Sequence, residues 1–592
     1  MERTEKLLSG NEAVAQAAYE AGAVVGVGYP GTPSTETLEA FAKFEDVYAE
    51  WAPNEKVALE VAAGASLAGA RCLVTMKHVG VNVAADPLYS ISGTGVNGGL
   101  VILAADDPGM FSSQNEQDTR FHALGARIPL LEPSNPMEAH EFAKLAFDIS
   151  EEFDIPVIVR STVRLSHTKA MVACGAREER PLRPYEKDPS KWVMMPAFAK
   201  PRRRVADERV KQLAAYGARE ELARAEMRET SVGIICSGVV YGHVREALPN
   251  ASTLKLGMTY PMPREAIERF AESVDEVFVV EEASTYLSSQ VASVGVKLAQ
   301  TPVPIPPDGE ISPQIIRRAF GAPEAEFEEY PGNLPPRPPM LCAGCPHRLV
   351  FAELARMGAV VNGDIGCYTL GTLPPLSAMD SCVDMGASLS MSHGMDLART
   401  YGTGVDEKFA KRPLVGIIGD STFAHSGITS LLGTVYNQGG GIACILDNRT
   451  TAMTGQQGNP VNGVTLQNRP SRELDLVKLC EALGVEHVQR VDPQDLKAVR
   501  AAFKEAREFE GLSVIVFCSP CQLLIREKKP AYVVSDECRK CRSCVKIGCP
   551  AIGTGAEGKA QIDPTQCIGC GQCAQICPFD CIAQVSDDAA AR

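Results

Sequence analysis

The sequence predicts an α/β protein in which several mainly parallel-sheet domains are followed by a small cysteine-rich α+β domain. Three observations carry the prediction. The chain has 592 residues, and single cores stop growing well before that length, so about three to five domains are expected. Short β-rich runs alternate with helical patterns as far as residue 530, the rhythm of parallel sheets covered on both faces. Cysteine is unevenly spread: of 20 in the chain, nine fall between Cys538 and Cys581.

The first block, 1–190, opens with a helical stretch over residues 10–22 and an apolar strand over 23–28. That strand runs into the turn-rich Tyr29-Pro30-Gly31-Thr32-Pro33-Ser34-Thr35. A helix is expected from Glu36 and another over 54–68, with strands at 71–77, 99–105 and 155–160. Residues 191–228 are basic and polar and read as a linker with a surface helix. A second α/β block, 229–301, has strands at 231–240, 255–258 and 277–281. Residues 302–340 are proline-rich, with five prolines in the ten residues 331–340, and predict an extended connector. The third block, 341–530, returns to the α/β rhythm with strands at 414–419, 441–446 and 513–517. The last block, 531–592, has few aliphatic runs and is too small to hold a large core without bound metal.

Hydrophobic residues make up 45% and charged residues 22%, values that exclude a disordered chain, a collagen-like fibre and a small disulfide scaffold. The start, MERTEKLLSG, has acids among its bases and no apolar run before a cleavage site, so it does not read as a signal peptide. Apolar runs are strand-sized, which predicts a soluble, cytoplasmic protein without a membrane segment. In that compartment grouped cysteines serve metals or redox chemistry rather than disulfides. A net charge of -15 argues against nucleic acid as the main partner.

The tail carries two similar runs. The first is Cys538-x2-Cys541-x2-Cys544-x4-Cys549-Pro550 and the second is Cys567-x2-Cys570-x2-Cys573-x3-Cys577-Pro578. Three close cysteines wrap one side of an iron–sulfur cube and a remote one closes the other. In two-cluster ferredoxins the fourth cysteine of each run ligates the other cluster. The pattern predicts one [4Fe-4S] cluster on Cys538, Cys541, Cys544 and Cys577, and a second on Cys567, Cys570, Cys573 and Cys549. Zinc, the competing reading, uses separated Cys-x-x-Cys pairs rather than triple spacing followed by Cys-Pro. The x4 spacing before Cys549 predicts a small bulge, and Cys581 reads as a buried small hydrophobe. A pair of clusters is an electron wire, so the remaining chain is expected to hold a redox site.

In the third block, one strand runs into Gly419-Asp420-Ser421 and another into Asp447-Asn448-Arg449-Thr450. Strand C-terminal ends are where open α/β sheets bind ligands. The separation of the two motifs fits strand, helix (426–437) and strand. Asp420, the Asn448 amide oxygen and the Thr450 carbonyl are candidate Mg²⁺ ligands, with diphosphate oxygens completing the shell. Gly419 followed by a small residue lets the chain approach the phosphates. The pair resembles the thiamine diphosphate signature, with Ser421 and Asp447 as mild departures. Thiamine chemistry needs a carboxylate against the aminopyrimidine N1′. Glu55, at the start of a helix that buries small residues, is the candidate.

The order of parts resembles the 2-oxoacid:ferredoxin oxidoreductase family, and within it the indolepyruvate branch. The matching pieces are Tyr29 to Ser34, Asn54-Glu55-Lys56, Cys342-Ala343-Gly344-Cys345-Pro346-His347, Gly419-Asp420-Ser421, the run from Asp447 to Gly455, and the tail. The resemblance implies three thiamine-enzyme-type parallel-sheet domains (pyrimidine-binding, transketolase-C-like and diphosphate-binding) and a two-cluster ferredoxin domain. It implies oxidative decarboxylation of an aryl 2-oxoacid such as indolepyruvate or a phenylpyruvate, with coenzyme A as co-substrate and ferredoxin as acceptor. A smaller β subunit is the implied partner, in an αβ or α2β2 complex. It also makes Thr32 a contact of substrate or cofactor.

Cys342 and Cys345 read as part of a close-packed loop over the diphosphate with His347 beside it. The alternative is a third cluster completed by Cys367 and Cys382. Among His347, His393 and His425, the last is best placed for phosphate or acid–base contact. His78, with Lys77, faces the first-domain loops and is a candidate for the substrate carboxylate. Three rival functions remain on the sequence: a non-redox thiamine enzyme, an oxidoreductase for pyruvate, 2-oxoglutarate or branched-chain acids, and an electron-transfer subunit without a catalytic site.

Overall fold

The computed structural model describes residues 4–324, 326, 331–335, 338–527 and 529–585. Parts of two expected segments lie outside the described residues: 325, 327–330, 336 and 337 of the connector, and 586–592 of the cysteine-rich block. The chain forms two compact units, Met1–Pro331 and Gly332–Arg592. Among the described residues, no helix is long and apolar enough to cross a membrane.

The first unit is built on a seven-stranded sheet. Its order is Met258–Tyr260, Leu130–Leu131, Val157–Thr162, Leu100–Asp106, Cys72–Lys77, Val25–Gly28 and Tyr48–Trp51. All neighbours are parallel except Met258–Tyr260, which runs against Leu130–Leu131. Leu100–Asp106 is buried at every position, as a central parallel strand between helical layers must be. The helix Glu55–Leu67 starts where Asn54, in extended conformation, accepts a hydrogen bond from the Val57 N–H through its side chain, a standard N-cap. A second sheet holds Val277–Val279, Glu229–Ser237, Ala251–Leu256 and Ala223–Glu226 in that order.

Two expectations change here. Residues 191–228 are more than a linker: Ala223–Glu226 is the antiparallel edge of the second sheet. The helix Pro196–Gly217 buries Ala206, Arg209, Leu213 and Tyr216, with Arg209 and Arg202 both bound to Asp154. Nor is the connector extended throughout, because Pro313–Phe320 is a helix capped by Ser312 and ended by left-handed Gly321. Proline at the first helical position costs no hydrogen bond and presets the backbone angle, so composition alone misreads it. Ile316 pays its way into a core with Ile234, Val244 and Val280.

The second unit has a six-stranded, all-parallel sheet: Ser381–Cys382, Val360–Gly363, Leu414–Gly419, Gly441–Asp447, Leu512–Cys518 and His487–Val491. The helix after Leu414–Gly419 begins at Asp420, not at 426. Asp420–Thr422 continues through a wide π-type turn, Phe423–Gly427, into Ile428–Tyr436. Asp420 therefore stands in a first helical turn, where free N–H groups favour negative charge.

The tail forms two antiparallel pairs, Tyr532–Val534 with Ile582–Gln584 and Ile552–Thr554 with Ala560–Ile562, and one short helix, Gln572–Ile576. Its core is sparse: Cys544, Ile552 and Ile582, with Cys549, Cys573 and Cys577 packed against them. Cysteines thus supply much of this small interior, as expected of a domain organised by metal.

Candidate cofactor sites

In the second unit, four neighbouring strands deliver polar or sulfur groups to one edge of the sheet. Val360–Gly363 leads to Asp364 and Cys367, Leu414–Gly419 to Asp420, Gly441–Asp447 to Asn448, and Leu512–Cys518 to Cys521. Asp420 accepts the Ser421 N–H through Oδ1 at 2.7 Å, while its buried Oδ2 has no hydrogen-bond partner among the described residues. Burial, and then the neighbouring Asp447 carboxylate, push the Asp420 carboxyl above its ordinary range. Asn448 Oδ1 accepts the Thr450 N–H at 3.1 Å, and Thr451 Oγ1 donates to Ser421 Oγ at 2.8 Å. An unpartnered carboxylate oxygen beside a second buried carboxylate is costly without a cation. Hard oxygen donors at a helix start fit Mg²⁺ with a diphosphate. Gly419 is required by packing, because a Cβ there would lie 2.7 Å from Tyr368 Cε1.

Beside this cluster, Cys342, Cys345, Cys367 and Cys521 form a connected set. Cys367 interacts electrostatically with Cys342 and Cys521, Cys521 with Cys342 and Asp420, and Cys345 with Cys342 and Cys367. The backbone fixes the set to the sheet edge: the Cys521 N–H donates to Asn448 O at 2.9 Å. Thr422 Oγ1 and Tyr368 Oη both donate to Ile365 O. Four thiols from three separate segments, none in a disulfide, offer the number of sulfur ligands that a [4Fe-4S] cube takes. Cys382 does not join them; its charged neighbours are Asp364 and Asp384. His347 is fully buried and burial pushes it down to about 4, so it is a neutral ring packed edge-on to Tyr368 at 6.1 Å.

In the tail, Cys549, Cys567, Cys570 and Cys573 line one cavity together with Ala343, Gly344, Tyr532 and Ile568. Cys573 has Cys570, Cys549 and Cys567 as sulfur neighbours, whereas Cys544 has Cys577 and Cys541. The fourth cysteine of each run thus lies with the other run's three, which fits crossed ligation. Between Cys544 and Cys549 the chain makes the tight turn Val545–Ile547, which ends at left-handed Gly548. Cys581 is buried, as its residue type predicts.

The tail is locked to the preceding sheet domain through Arg348, which is 1% exposed. Its guanidinium donates to Ile547 O at 2.8 Å and to Leu341 O and Cys342 O, each at 2.7 Å. Gln572 adds a bond to Cys345 O at 3.0 Å. Arg348→Leu would strip this donor from the Leu341 and Ile547 carbonyls and leave Cys342 O with the Cys345 N–H alone, and is expected to destabilise this junction by about 3 kcal/mol. Hydrogen exchange should then rise at 341–348 and 545–549. Unchanged protection at both segments would contradict it.

In the first unit, the C-terminal strand ends gather Thr32, Glu55, Lys77 and His78. Glu55 is 3% exposed and packs so closely on Gly80 that a Cβ there would meet its Oε1 at 2.7 Å. Lys77 lies between the Gly31 turn and Glu55. A Cβ on Gly31 would stand 3.0 Å from Lys77 Cγ, and Nζ donates to Ser113 Oγ at 2.7 Å and Ser112 O at 3.2 Å. Burial lowers the Lys77 pKa, with Asp107 and then Glu55 opposing. His78 Nε2 is 3.2 Å from Asn115 O, which assigns the proton to Nε2. Its buried Nδ1 has no hydrogen-bond partner among the described residues, and burial lowers its pKa. Thr32 is half-buried in the turn after Val25–Gly28.

The two remaining candidate histidines lie on different elements. His425 sits in the π-type turn with Nδ1 2.6 Å from Ser426 Oγ, which in turn donates to Met385 O. His393 packs against Gly439, before the strand Gly441–Asp447 and so at the end opposite Asn448. Sequence reasoning missed Cys521, which lies far along the chain from Cys342, Cys345 and Cys367, and Asp364. Burial raises Asp364 to about 6, and it caps the helix Ala387–Tyr401 through the Ser388 N–H at 3.1 Å.

Comparison with known proteins matches three families. Residues 16–232 match the pyruvate flavodoxin/ferredoxin oxidoreductase thiamine diphosphate-binding family. Residues 364–517 match the C-terminal TPP binding domain of thiamine pyrophosphate enzymes, and 560–583 the 4Fe-4S binding domain. Among similar proteins, the indolepyruvate oxidoreductase subunit IorA of Thermococcus kodakarensis is 40% identical over 97% of this chain and 96% of its own. The subunit of that name from Methanothermobacter thermautotrophicus is 40% identical over 97% and 96%. A 2-oxoglutarate:ferredoxin oxidoreductase from Magnetococcus marinus superposes over 53% of this chain and 64% of that one, at 17% identity and a TM-score of 0.46.

Proposed function

The chain belongs to the family of indolepyruvate oxidoreductase IorA subunits, and on that premise we propose that it oxidatively decarboxylates aryl 2-oxoacids. Indolepyruvate is the foremost substrate, coenzyme A takes the acyl group and ferredoxin the electrons. The protein is an oxidoreductase with thiamine diphosphate and iron–sulfur domains. In this reading it works in the cytoplasm with a smaller β subunit, as an αβ or α2β2 complex.

Thiamine diphosphate, when bound, supplies the carbon that adds to the keto group and takes up the electron pair released with CO₂. Asp420, Asn448 and the Thr450 carbonyl hold Mg²⁺, and the first turn at Asp420 with Gly419 and Ser421 receives the diphosphate. Glu55 holds a proton at the aminopyrimidine N1′, in a pocket that excludes water because Gly80 closes on the carboxylate. Thr32, Lys77 and His78 line the place for the substrate carboxylate and keto oxygen. His78, neutral by burial with its proton on Nε2, presents only an acceptor at Nδ1 and meets these oxygens through a bridging donor rather than directly. The eight tail cysteines hold two [4Fe-4S] clusters, and Cys342, Cys345, Cys367 and Cys521 hold a third.

The observation that carries the reading is the single sheet edge where Asp420 and Asn448 stand next to Cys367 and Cys521. A site for the thiamine diphosphate and a sulfur set for its electrons share one wall. Anaerobically purified complex should contain about twelve iron atoms per chain, falling to about eight in Cys521→Ala. About eight in the unaltered protein would remove the third cluster. Indolepyruvate with coenzyme A should bleach the visible iron–sulfur absorption. Bleaching by pyruvate and not by indolepyruvate would replace the substrate assignment.

A further inference from the structure

The two cysteine runs of the tail differ in charge. Between Cys567 and Cys577 there is no charged residue, and this run turns inward. Ile568 abuts Gly344, whose added Cβ would lie 2.1 Å from Ile568 Cδ1, and Gln572 reaches Cys345 O. Between Cys538 and Lys546 there are four cations, Arg539, Lys540, Arg542 and Lys546, and no acid. All four are exposed, as is Cys541. Lys540 and Arg542 adopt left-handed backbone conformations (φ 56° and 63°), uncommon for residues with a side chain. Beside them the Arg539 guanidinium lies 6.0 Å from the ring of Phe579, itself 48% exposed.

The order of the thiol sets follows from these contacts. The Cys549–Cys573 cavity abuts the loop that holds Cys342 and Cys345, so it is the inner station of the tail. The Cys538, Cys541 and Cys544 set, with Cys541 in solvent, is the outer one. An electron leaving the protein departs from the outer set, and a carrier must approach there. The chain as a whole has a charge of -15 and repels an acidic protein at long range. Locally, Arg539, Lys540, Arg542 and Lys546 outnumber the adjoining exposed acids Asp536, Glu537 and Asp580, and such a basic patch offsets that repulsion where transfer has to occur.

We propose that the exposed face formed by Arg539, Lys540, Arg542, Lys546 and the Phe579 ring docks a small acidic electron-carrier protein over the outer cluster. This rests on the reading that the tail holds clusters that pass electrons to a ferredoxin. The cations steer and orient the carrier, and Phe579 supplies apolar contact beside them. Each encounter moves one electron from the reduced outer cluster to the oxidised cluster of the carrier, leaving the former oxidised.

The test uses the complete complex under anaerobic conditions, with indolepyruvate as reductant and an acidic 2[4Fe-4S] ferredoxin as acceptor. In the unaltered complex the KM for ferredoxin should rise with added salt, whereas methyl viologen reduction should not slow in parallel. In the triple variant Arg539→Glu, Lys540→Glu, Arg542→Glu, the ferredoxin KM should rise about tenfold or more and its salt dependence should flatten, at unchanged iron content. A salt-independent KM in the unaltered complex overturns the proposal without any variant. So does an unchanged KM in the triple variant, or loss of the partner subunit from it on gel filtration, which would make the face a subunit interface. If the unaltered complex reduces neither viologen nor ferredoxin with any 2-oxoacid, the functional reading itself fails, a result distinct from failure of the docking face.

Discussion

Replacing Glu55 with glutamine is expected to slow substrate-driven reduction of the iron–sulfur centres by about a thousandfold, with bound iron unchanged. The expectation comes from what the substitution removes. Glutamine keeps the size of the side chain, so the close contact with Gly80 and the position at the start of Glu55–Leu67 survive. The favourable interaction of a carboxylate with the helix N-terminus is lost, worth about 0.3–1 kcal/mol, too little to unfold a helix held by the Asn54 cap and the buried Ala58, Leu59 and Ala62. Removing a positioned acid–base group costs about two to four orders of magnitude in rate, and that loss is the dominant effect. Stopped-flow absorbance after mixing with indolepyruvate and coenzyme A measures it. A rate within threefold of the unaltered protein (~0.7 kcal/mol) would remove Glu55 from the chemistry. Iron lost together with activity would make it a structural residue.

The second large effect concerns which cysteines share a cube. With crossed ligation, Cys541→Ala damages the set closed by Cys577, and Cys549→Ala damages the set of Cys567, Cys570 and Cys573. Each single variant should lose about four iron atoms, and the double variant about eight. If each run closed its own cube, both residues would serve one cluster and the double variant would lose only about four. The neighbours seen in the structure, Cys549 with Cys570 and Cys573 and Cys577 with Cys544, favour the additive result. Iron analysis of the three proteins decides it. Cys549→Ala should also slow ferredoxin reduction far more than substrate binding, because it empties the inner station.

Much of the architecture was legible in the residues. The strands at 72–77, 100–106, 414–419, 441–447 and 512–518 follow from β-rich apolar runs, since a strand buried on both faces has little choice of composition. The helix after Asn54 follows from its cap. Gly419-Asp420 and Asn448 could be placed together because each follows an apolar strand, and the structure puts both at the C-terminal ends of neighbouring parallel strands. Where the reading failed, local composition competed with tertiary context. Proline at 313 opens a helix instead of preventing one, and Ala223–Glu226, polar by composition, completes a sheet edge. His393 carried a suitable side chain but sits on the helix Ala387–Tyr401 against Gly439, at the end of the neighbouring strand opposite Asn448.

The sequence by itself determined the chemistry available. Spacing within a short segment is preserved on folding, so Cys-x2-Cys-x2-Cys identifies a cube-binding loop wherever that loop lies. It could not determine which distant groups meet. Cys521 stands 154 residues from Cys367 (521 − 367), and only the parallel order of Val360–Gly363, Leu414–Gly419, Gly441–Asp447 and Leu512–Cys518 brings their C-terminal ends side by side. The same holds for the unpartnered Asp420 oxygen beside Asp447 and for the face of the tail that turns inward. Those facts are set by long-range packing, whose free energy depends on shape and burial across the whole sheet rather than on neighbouring residues in the chain.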